Sequence, residues 1–206
     1  MSHLSNTAAR VAFTVSRMSR AEIDQAVAPV GPTVVNIRPE QLGDPTPCTD
    51  FDVRRLINHL LFWLPSLEAA GRKQAVPPPA SDESDIDLVC GNWVAELVDQ
   101  LRQTAIAWGE PQAWEGMTQM GNTAEMPASV IGGMVLGEVV VHGWDLAVAT
   151  GQQIAWDDEV LNHVLRDLQS NADLGRKMNL YGPEVPISDD ATLLDRVVGL
   201  TGRTPR

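Results

Sequence analysis

The stretch MPASVIGGMVLGEVVVHGWDLAVATG, residues 126–151, is the part of the sequence that indicates the fold most clearly. Its apolar residues cover every side of a helix, and a helix that is apolar all round is a buried one. Met126-Pro127 marks the start, because proline is tolerated in a first helical turn, and Gly151 is a typical residue just past a helix end. We therefore expect a buried core helix between these points.

The rest of the chain shows the same helical periodicity. Apolar residues recur at intervals of three and four, and period-two runs rich in Val, Ile, Thr and aromatics are missing. This spacing predicts an all-α protein: a four-helix bundle with an additional C-terminal helix and a short extension. The expected bounds of the other helices are Ser19 to Ile37, Asp50 to Ala70, a span within Ser81 to Trp108, and Asp157 to Asp173.

Two of these helices carry local signals. Pro29 and Pro32 should weaken or kink the first helix, since proline removes a backbone donor and clashes with the preceding turn. Thr49 is expected to cap the second helix, with Asp52 as its capping-box partner three residues later. Pro65 should bend that second helix.

The length of 206 residues fits one domain with an extension better than two domains. Residues 1–18 are assigned to a segment separate from the bundle, because the first 20 residues contain three arginines and no acidic residue. This start resembles a transit peptide, but we expect a disordered overhang or a start codon upstream of the true one at Met18. Residues 19–174 are assigned to the bundle and residues 175–206 to a C-terminal extension packed on it.

The charge balance argues against several partners. The 15 basic and 27 acidic residues give a formal net charge of −12, which repels both a nucleic-acid backbone and an anionic membrane surface. The two cysteines, Cys48 and Cys90, form neither a disulfide framework nor a CxxC pair, so a cytoplasmic location is expected. Cys48 precedes a predicted helix start, which would lower the pKa of its thiol, although we expect a structural role.

Four histidines are candidates for chemistry: His3, His59, His142 and His163. His3 lies too near the terminus to be held in a site. Glu159 and His163 form an i, i+4 pair, but the apolar stripe of their helix lies about 150° away, so we expect the pair to face water. His59 and His142 remain.

Glu138 is the unusual residue of the central helix. An unpartnered carboxylate is costly to bury, so Glu138 must meet a cation, a donor cluster or a metal. His142 follows one turn later as a natural co-ligand, and His59 can point into the bundle from the edge of its own apolar stripe. Two imidazoles and a carboxylate with an open position are typical of catalytic zinc. The alternative is that Glu138 simply pairs with His59 or an arginine.

Three segments resemble a known family. PTPCTDFDVR at 45–54, followed by LINHL at 56–60, resembles the segment that opens the metal-binding helix of DinB-like proteins. GEVVVHGWDLA at 137–147 resembles the second ligand segment, and DRVVGLTGR at 195–203 adds a further match. The chain is similar to the actinobacterial branch that includes the N-terminal domain of mycothiol-dependent maleylpyruvate isomerase.

The resemblance implies a four-helix bundle that holds a divalent metal, usually zinc or nickel, through His59, Glu138 and His142. It also implies a thiol S-transferase or isomerase that activates mycothiol as a metal-bound thiolate for attack on a small electrophile. Asp145 follows His142 by three residues on the same helix face, where it could orient a ligand imidazole or bind a substrate cation, and with the adjacent Trp144 it is our candidate for cofactor binding. The isomerase has a second domain that supplies substrate-side groups. Only a short segment follows the fifth helix here, which argues against maleylpyruvate as the substrate.

Two other functions stay open. The bundle could bind a metal without turnover, as a metal-binding or interaction protein, or it could activate water for hydrolysis with a separate general base. No G-x-S-x-G, Walker, G-x-G-x-x-G or H-E-x-x-H motif points to different chemistry. The expected partners are a low-molecular-weight thiol and a small electrophile, and the chain could form a homodimer.

Overall fold

The computed structural model describes residues 18–178 and 180–206, and these are helical apart from loops and one short hairpin. The helices are α1 Arg20–Val27, α2 Val30–Val35, α3 Val53–Gly71, α4 Trp93–Trp108, α5 Ala128–Ala149, α6 Asp158–Lys177 and α7 Leu193–Leu200. The antiparallel hairpin pairs β1 Met117–Thr118 with β2 Met126–Pro127, and short 3-10 turns span Pro39–Gln41, Glu83–Asp85 and Pro111–Trp114. The predicted all-α class is confirmed.

Helix α5 is the central element, as its sequence predicts. It packs against α1, α2, α3 and α6, and most of its residues are buried. Its length and apolar composition would suffice to cross a membrane, but 83% of its most apolar 18-residue window is buried inside the protein. This burial identifies α5 as a core helix and fits a soluble protein.

The first predicted helix is in fact two. Helix α1 ends at Val27 and α2 begins at Val30, with Pro29 at the cap position between them. Because proline lacks the N–H that would continue the helical hydrogen bonds, Pro29 interrupts the helix rather than kinking it. Pro32 lies in the first turn of α2, where a missing donor is tolerated.

Helix α3 is capped by Asp52 rather than by Thr49. The Asp52 carboxylate accepts a hydrogen bond of 2.8 Å from the N–H of Arg55. The predicted capping box is wrong because a turn, closed by Phe51 N–H donating to the Cys48 carbonyl at 3.0 Å, precedes the helix.

The third predicted helix corresponds to α4, which begins at Trp93 and occupies only the later part of the predicted span. Ile86 and Val89 lie within that predicted span, but the structure places them in the loop between α3 and α4. Val89 is nevertheless 4% exposed, so this loop also contributes to the core. Periodicity alone cannot separate a buried loop residue from a helical one.

Residues near both ends of the described chain belong to the core. The proposed overhang, including His3, lies outside the described residues except for Met18, which is 2% exposed and packs in the core. At the other end α7 packs against α6, with Val197 and Val198 fully buried. Helix α7 was not anticipated from the sequence, because its eight residues are too short to show clear periodicity.

Candidate metal centre

Helices α3 and α5 bring three of the predicted site residues together. His59 lies on α3, whereas Glu138 and His142 lie one turn apart on α5. The ligand atoms that these side chains offer all lie within 4.8 Å of one another. The helix faces chosen from the sequence therefore meet in the folded chain.

Both imidazoles direct Nε2 at the same carboxylate oxygen. Oε2 of Glu138 lies 3.2 Å from Nε2 of His59 and 3.3 Å from Nε2 of His142. The three side chains are 21%, 16% and 10% exposed, in that order. The cluster is thus largely buried but still in contact with solvent.

Each imidazole also meets a carboxylate at its other nitrogen. Nδ1 of His59 lies 2.8 Å from Oε2 of Glu83, and Nδ1 of His142 lies 2.9 Å from Oδ2 of Asp145. A carboxylate at Nδ1 keeps the proton there and leaves the Nε2 lone pair for a metal. Two imidazole nitrogens and one carboxylate oxygen, oriented in this way, fit a zinc or nickel ion.

The carboxylates and imidazoles of the cluster shift one another's pKa values strongly. Burial alone would lower the pKa of His59, but hydrogen bonds with and charges on Glu138 and Glu83 raise it to about 10. Burial alone would raise the pKa of Glu138, but the charge of His142 and the contact with His59 lower it to about 2. The cluster therefore favours a positive charge beside the Glu138 carboxylate, which a bound divalent cation would also supply.

Asp145 is fully buried and connects His142 to the C-terminal segment. Its Oδ2 lies 3.1 Å from Nη2 of Arg203, an arginine that is itself 5% exposed. The guanidinium balances the charge of the carboxylate that orients His142. Asp145 has no surface left for direct contact with a cofactor, so its geometry suits the orienting role considered for it.

Trp144 lies on a different face of α5 from the metal cluster. At 100° per residue it is about 200° from His142 around the helix axis. It lines a shallow surface groove of about 360 Å³ together with Val148 and residues 152–155. None of the three clustered ligands lines that groove.

The prediction that Glu159 and His163 both face water is wrong for His163. Glu159 is exposed, but His163 is 4% exposed and its ring centroid lies 6.5 Å from that of Trp114. Burial is the main reason that the pKa of His163 is lowered. Helix α6 packs against α1 as well as α5, so its buried surface is wider than a single apolar stripe predicts.

The sequence did not reveal Glu83 and Phe51 as site residues. Glu83 lies in an acidic loop without periodicity, and the ring of Phe51 lies 5.0 Å from that of His59. Both line a pocket of about 240 Å³, which none of the three clustered ligands lines; its other lining residues are Arg54, Arg55, Asn58, Ser84, Ile86 and Asp87. Phe51 lies within the segment PTPCTDFDVR, so the resemblance drew attention to its surroundings but not to its role.

Cys48 does not have the lowered pKa expected from its place ahead of a helix. Burial is the main reason that its pKa is raised, and the nearby Arg203 charge offsets this only in part. The helix begins at Val53, five residues further on, so its N–H groups do not favour a thiolate at Cys48.

Comparison with sequences supports a specific family. Residues 23–147 match the model described as mycothiol maleylpyruvate isomerase N-terminal domain. An uncharacterised protein found in two strains of Mycobacterium tuberculosis is 32% identical over 181 residues, which cover 84% of this chain and 91% of the relative. Both matches extend over most of the bundle.

Solved structures show the same fold. A crystal structure of a mutant of mycothiol-dependent maleylpyruvate isomerase superposes with a TM-score of 0.56 at 13% identity, and another of the isomerase with 0.53 at 14%. Each superposition covers 74% of this chain and 67% of the isomerase chain. With the sequence match, this places the chain in the family of mycothiol maleylpyruvate isomerase N-terminal domains.

Proposed function

We propose that this protein is a divalent-metal-dependent thiol S-transferase or isomerase that uses mycothiol to attack a small electrophile. The observation that carries the proposal is the convergence of two Nε2 atoms, from His59 and His142, on Glu138. If Glu138 only formed a buried ion pair, one cationic partner would be sufficient. Two imidazoles that each have a carboxylate at Nδ1 are the arrangement a metal centre requires. Family membership supports mycothiol as the thiol.

His59, Glu138 and His142 would hold the metal, with zinc preferred and nickel as the alternative for this nitrogen and oxygen donor set. A bound divalent ion lowers the pKa of a coordinated thiol and holds it as thiolate at neutral pH. Two neutral imidazoles and one carboxylate would leave a net charge of about +1 at the centre, which favours one further anionic ligand. Glu138 therefore sets the charge balance of the site.

In the S-transfer reaction the thiol gives its proton to solvent, its sulfur forms a bond to an electrophilic carbon, and the leaving group departs with the bonding electrons. Glu83 and Asp145 keep the Nδ1 protons in place, so His59 and His142 stay neutral ligands. The pocket of about 240 Å³ that Phe51 and Glu83 line would offer space for a small molecule, and both of these residues contact His59.

The proposal places the protein in the cytoplasm with two small molecules as partners. Cys48 and Cys90 are both free thiols, which suits a reducing compartment. The net charge of −12 argues against nucleic acid and anionic membranes as partners. A homodimer stays a prediction, to be tested by the mass of the protein in solution.

The test is consumption of a model electrophile by the protein with and without zinc, and with and without mycothiol. Turnover should require metal and thiol together. His59→Ala should abolish it, whereas Glu159→Gln, which changes the exposed member of the other Glu-His pair, should leave it intact. Turnover without thiol would indicate a hydrolase, and metal binding without any turnover would indicate a binding protein. Either result would overturn the proposal.

A further inference from the structure

A loop far from His59 in sequence supplies the carboxylate that meets it. Glu83 lies in the 3-10 turn Glu83–Asp85, and its Oε2 is 2.8 Å from Nδ1 of His59. The same oxygen accepts a hydrogen bond of 3.1 Å from Nε1 of Trp63, one turn further along α3. One carboxylate oxygen thus bridges two side chains on one face of the helix.

Asn58, the residue next to His59, connects the loop to α3 through two hydrogen bonds. Nδ2 of Asn58 donates to the carbonyl of Glu83 at 3.0 Å, and its Oδ1 accepts from the N–H of Leu88 at 2.7 Å. Both polar ends of one amide therefore bond to the backbone of the same loop. These bonds fix where the backbone of Glu83 lies relative to His59.

Two further contacts complete the attachment. One turn before Asn58, the guanidinium of Arg54 donates to the Val89 carbonyl at 2.8 Å and pairs with Asp87. At the start of the loop, Oδ1 of Asp82 accepts from the N–H of Ser84 at 2.8 Å and holds the turn that presents Glu83. Residues 82–89, called the Glu83 strap below, are thus tied to α3 near both ends.

We propose that the Glu83 strap sets the orientation of His59 for metal binding, with Glu83 as the positioning residue and Asn58 as its anchor. The inference rests on the proposed function, because it assumes that His59 is a ligand. The two imidazoles of the centre would then be oriented in different ways. Asp145 orients His142 from within α5, whereas the partner of His59 comes from a loop outside the helices. Metal affinity should therefore depend on how firmly that loop is attached.

Cobalt binding tests the inference, because Co²⁺ takes the same ligands as zinc and its visible absorption reports their geometry. Glu83→Ala should weaken Co²⁺ affinity by about 10–100-fold, the usual effect of losing a residue that orients a ligand imidazole. Glu83→Gln keeps an oxygen acceptor and should recover part of the loss together with the wild-type absorption spectrum. Asn58→Ala should weaken affinity in the same direction, although Asn58 itself does not touch the metal cluster.

Gln100→Ala is the matched control. Nε2 of Gln100 donates to Oε2 of Glu68 at 2.8 Å, so this variant also removes a hydrogen bond between α3 and its surroundings, but away from the Glu83 strap. Its Co²⁺ affinity and spectrum should match those of the wild type. The inference is overturned if Glu83→Ala and Asn58→Ala bind Co²⁺ as the wild type does, or if Gln100→Ala loses as much affinity.

A measurement on metal-free protein separates this inference from the proposed function. The Nδ1 proton of His59 should give a slowly exchanging signal in NMR spectra of the wild type and of Gln100→Ala. It should exchange rapidly in Glu83→Ala and in Asn58→Ala. A wild type that binds no Co²⁺ would remove the proposed function, whereas retention of the slow signal in Asn58→Ala would remove the role of the strap.

Discussion

Nη2 of Arg203 lies 3.1 Å from Oδ2 of Asp145, and this contact joins the C-terminal end of the chain to the C-terminal part of α5. Both side chains are almost inaccessible, at 6% and 0% exposed. The same Asp145 oxygen lies 2.9 Å from Nδ1 of His142. A guanidinium, a carboxylate and an imidazole thus form a continuous series of contacts from the C-terminal extension to the metal centre.

Replacement of Arg203 by alanine should destabilise the protein strongly. It leaves the Asp145 carboxylate buried without its cation, and breaking a buried ion pair in this way typically costs about 3–5 kcal/mol. Arg102→Ala is the control, because the Arg102–Asp99 pair is 65% and 60% exposed and should contribute at most about 1 kcal/mol. Denaturant unfolding of both variants measures the difference. Equal losses would show that Arg203 is not needed to balance the Asp145 charge.

The sequence predicted the helical centre of this site and Asp145 as a partner for a ligand imidazole, but not the contacts made by Glu83 and Arg203. Glu138 and His142 are four residues apart on one helix, so helical geometry alone places them together. Glu83 and Arg203 lie 24 and 58 residues from the side chains they contact. Such pairings depend on how a loop and a terminal segment pack, and no local periodicity encodes that packing.

The errors in the helix predictions have a related cause. A single apolar stripe assumes that a helix is buried on one side, whereas α6 meets both α5 and α1, so His163 is buried outside its stripe. The sequence predicted that Pro29 would weaken or kink the first helix. In the structure it divides that helix in two, because Pro29 has no N–H to continue the helical hydrogen bonds.

Glu138→Gln should lower stability whether or not metal is bound. In the metal-free protein the two imidazoles lower the pKa of Glu138 from 4.5 to about 2. A carboxyl whose pKa is depressed on folding stabilises the protein above its unfolded pKa, and this contribution is lost as the pH falls toward the folded value. The variant should therefore melt below the wild type at pH 7, with a smaller difference near pH 3.

Zinc should widen the gap between these two proteins. Added metal should raise the melting temperature of the wild type, since a ligand that binds only the native state stabilises it. It should barely change that of Glu138→Gln, which has lost the one anionic ligand. Thermal melts with zinc and with a chelator measure both effects. An equal response to zinc in the two proteins would exclude Glu138 as a metal ligand.

Asp167→Asn should stabilise the protein at neutral pH. Asp167 lies on α6, where burial raises the pKa of its carboxyl from 3.8 to about 6 despite a hydrogen bond of 3.1 Å from Asn171. The native state therefore binds this proton more tightly than the unfolded state, and stability falls as the pH rises from about 4 to about 6. The asparagine avoids that loss.

The expected gain from Asp167→Asn is roughly 1–3 kcal/mol at pH 7 and close to zero near pH 3.5, where the carboxyl is mostly protonated in both states. Denaturant unfolding at the two pH values measures it. Asp173→Asn serves as the control, because the Asp173 side chain on the same helix is 89% exposed and should show little change. A gain from Asp167→Asn that did not depend on pH would show that ionisation is not its cause.

Gly132 and Gly31 should respond to alanine to different degrees, although both are helical glycines. A methyl group on Gly132 would lie only 2.8 Å from Cη2 of Trp114. That ring cannot easily move, because its Nε1 donates to the Trp108 carbonyl at 2.7 Å. Forcing extra volume into a packed contact typically costs about 1–3 kcal/mol, which exceeds the gain of up to about 1 kcal/mol in helix propensity. A methyl group on Gly31 meets no atom within 4 Å, so there is no packing cost at that position. The following Pro32 disfavours helical backbone at a residue with a Cβ, and this offsets the gain in helix propensity. Denaturant unfolding should therefore show Gly132→Ala clearly less stable than both Gly31→Ala and the wild type. Equal stabilities of the two variants would mean that α5 does not need glycine to approach Trp114.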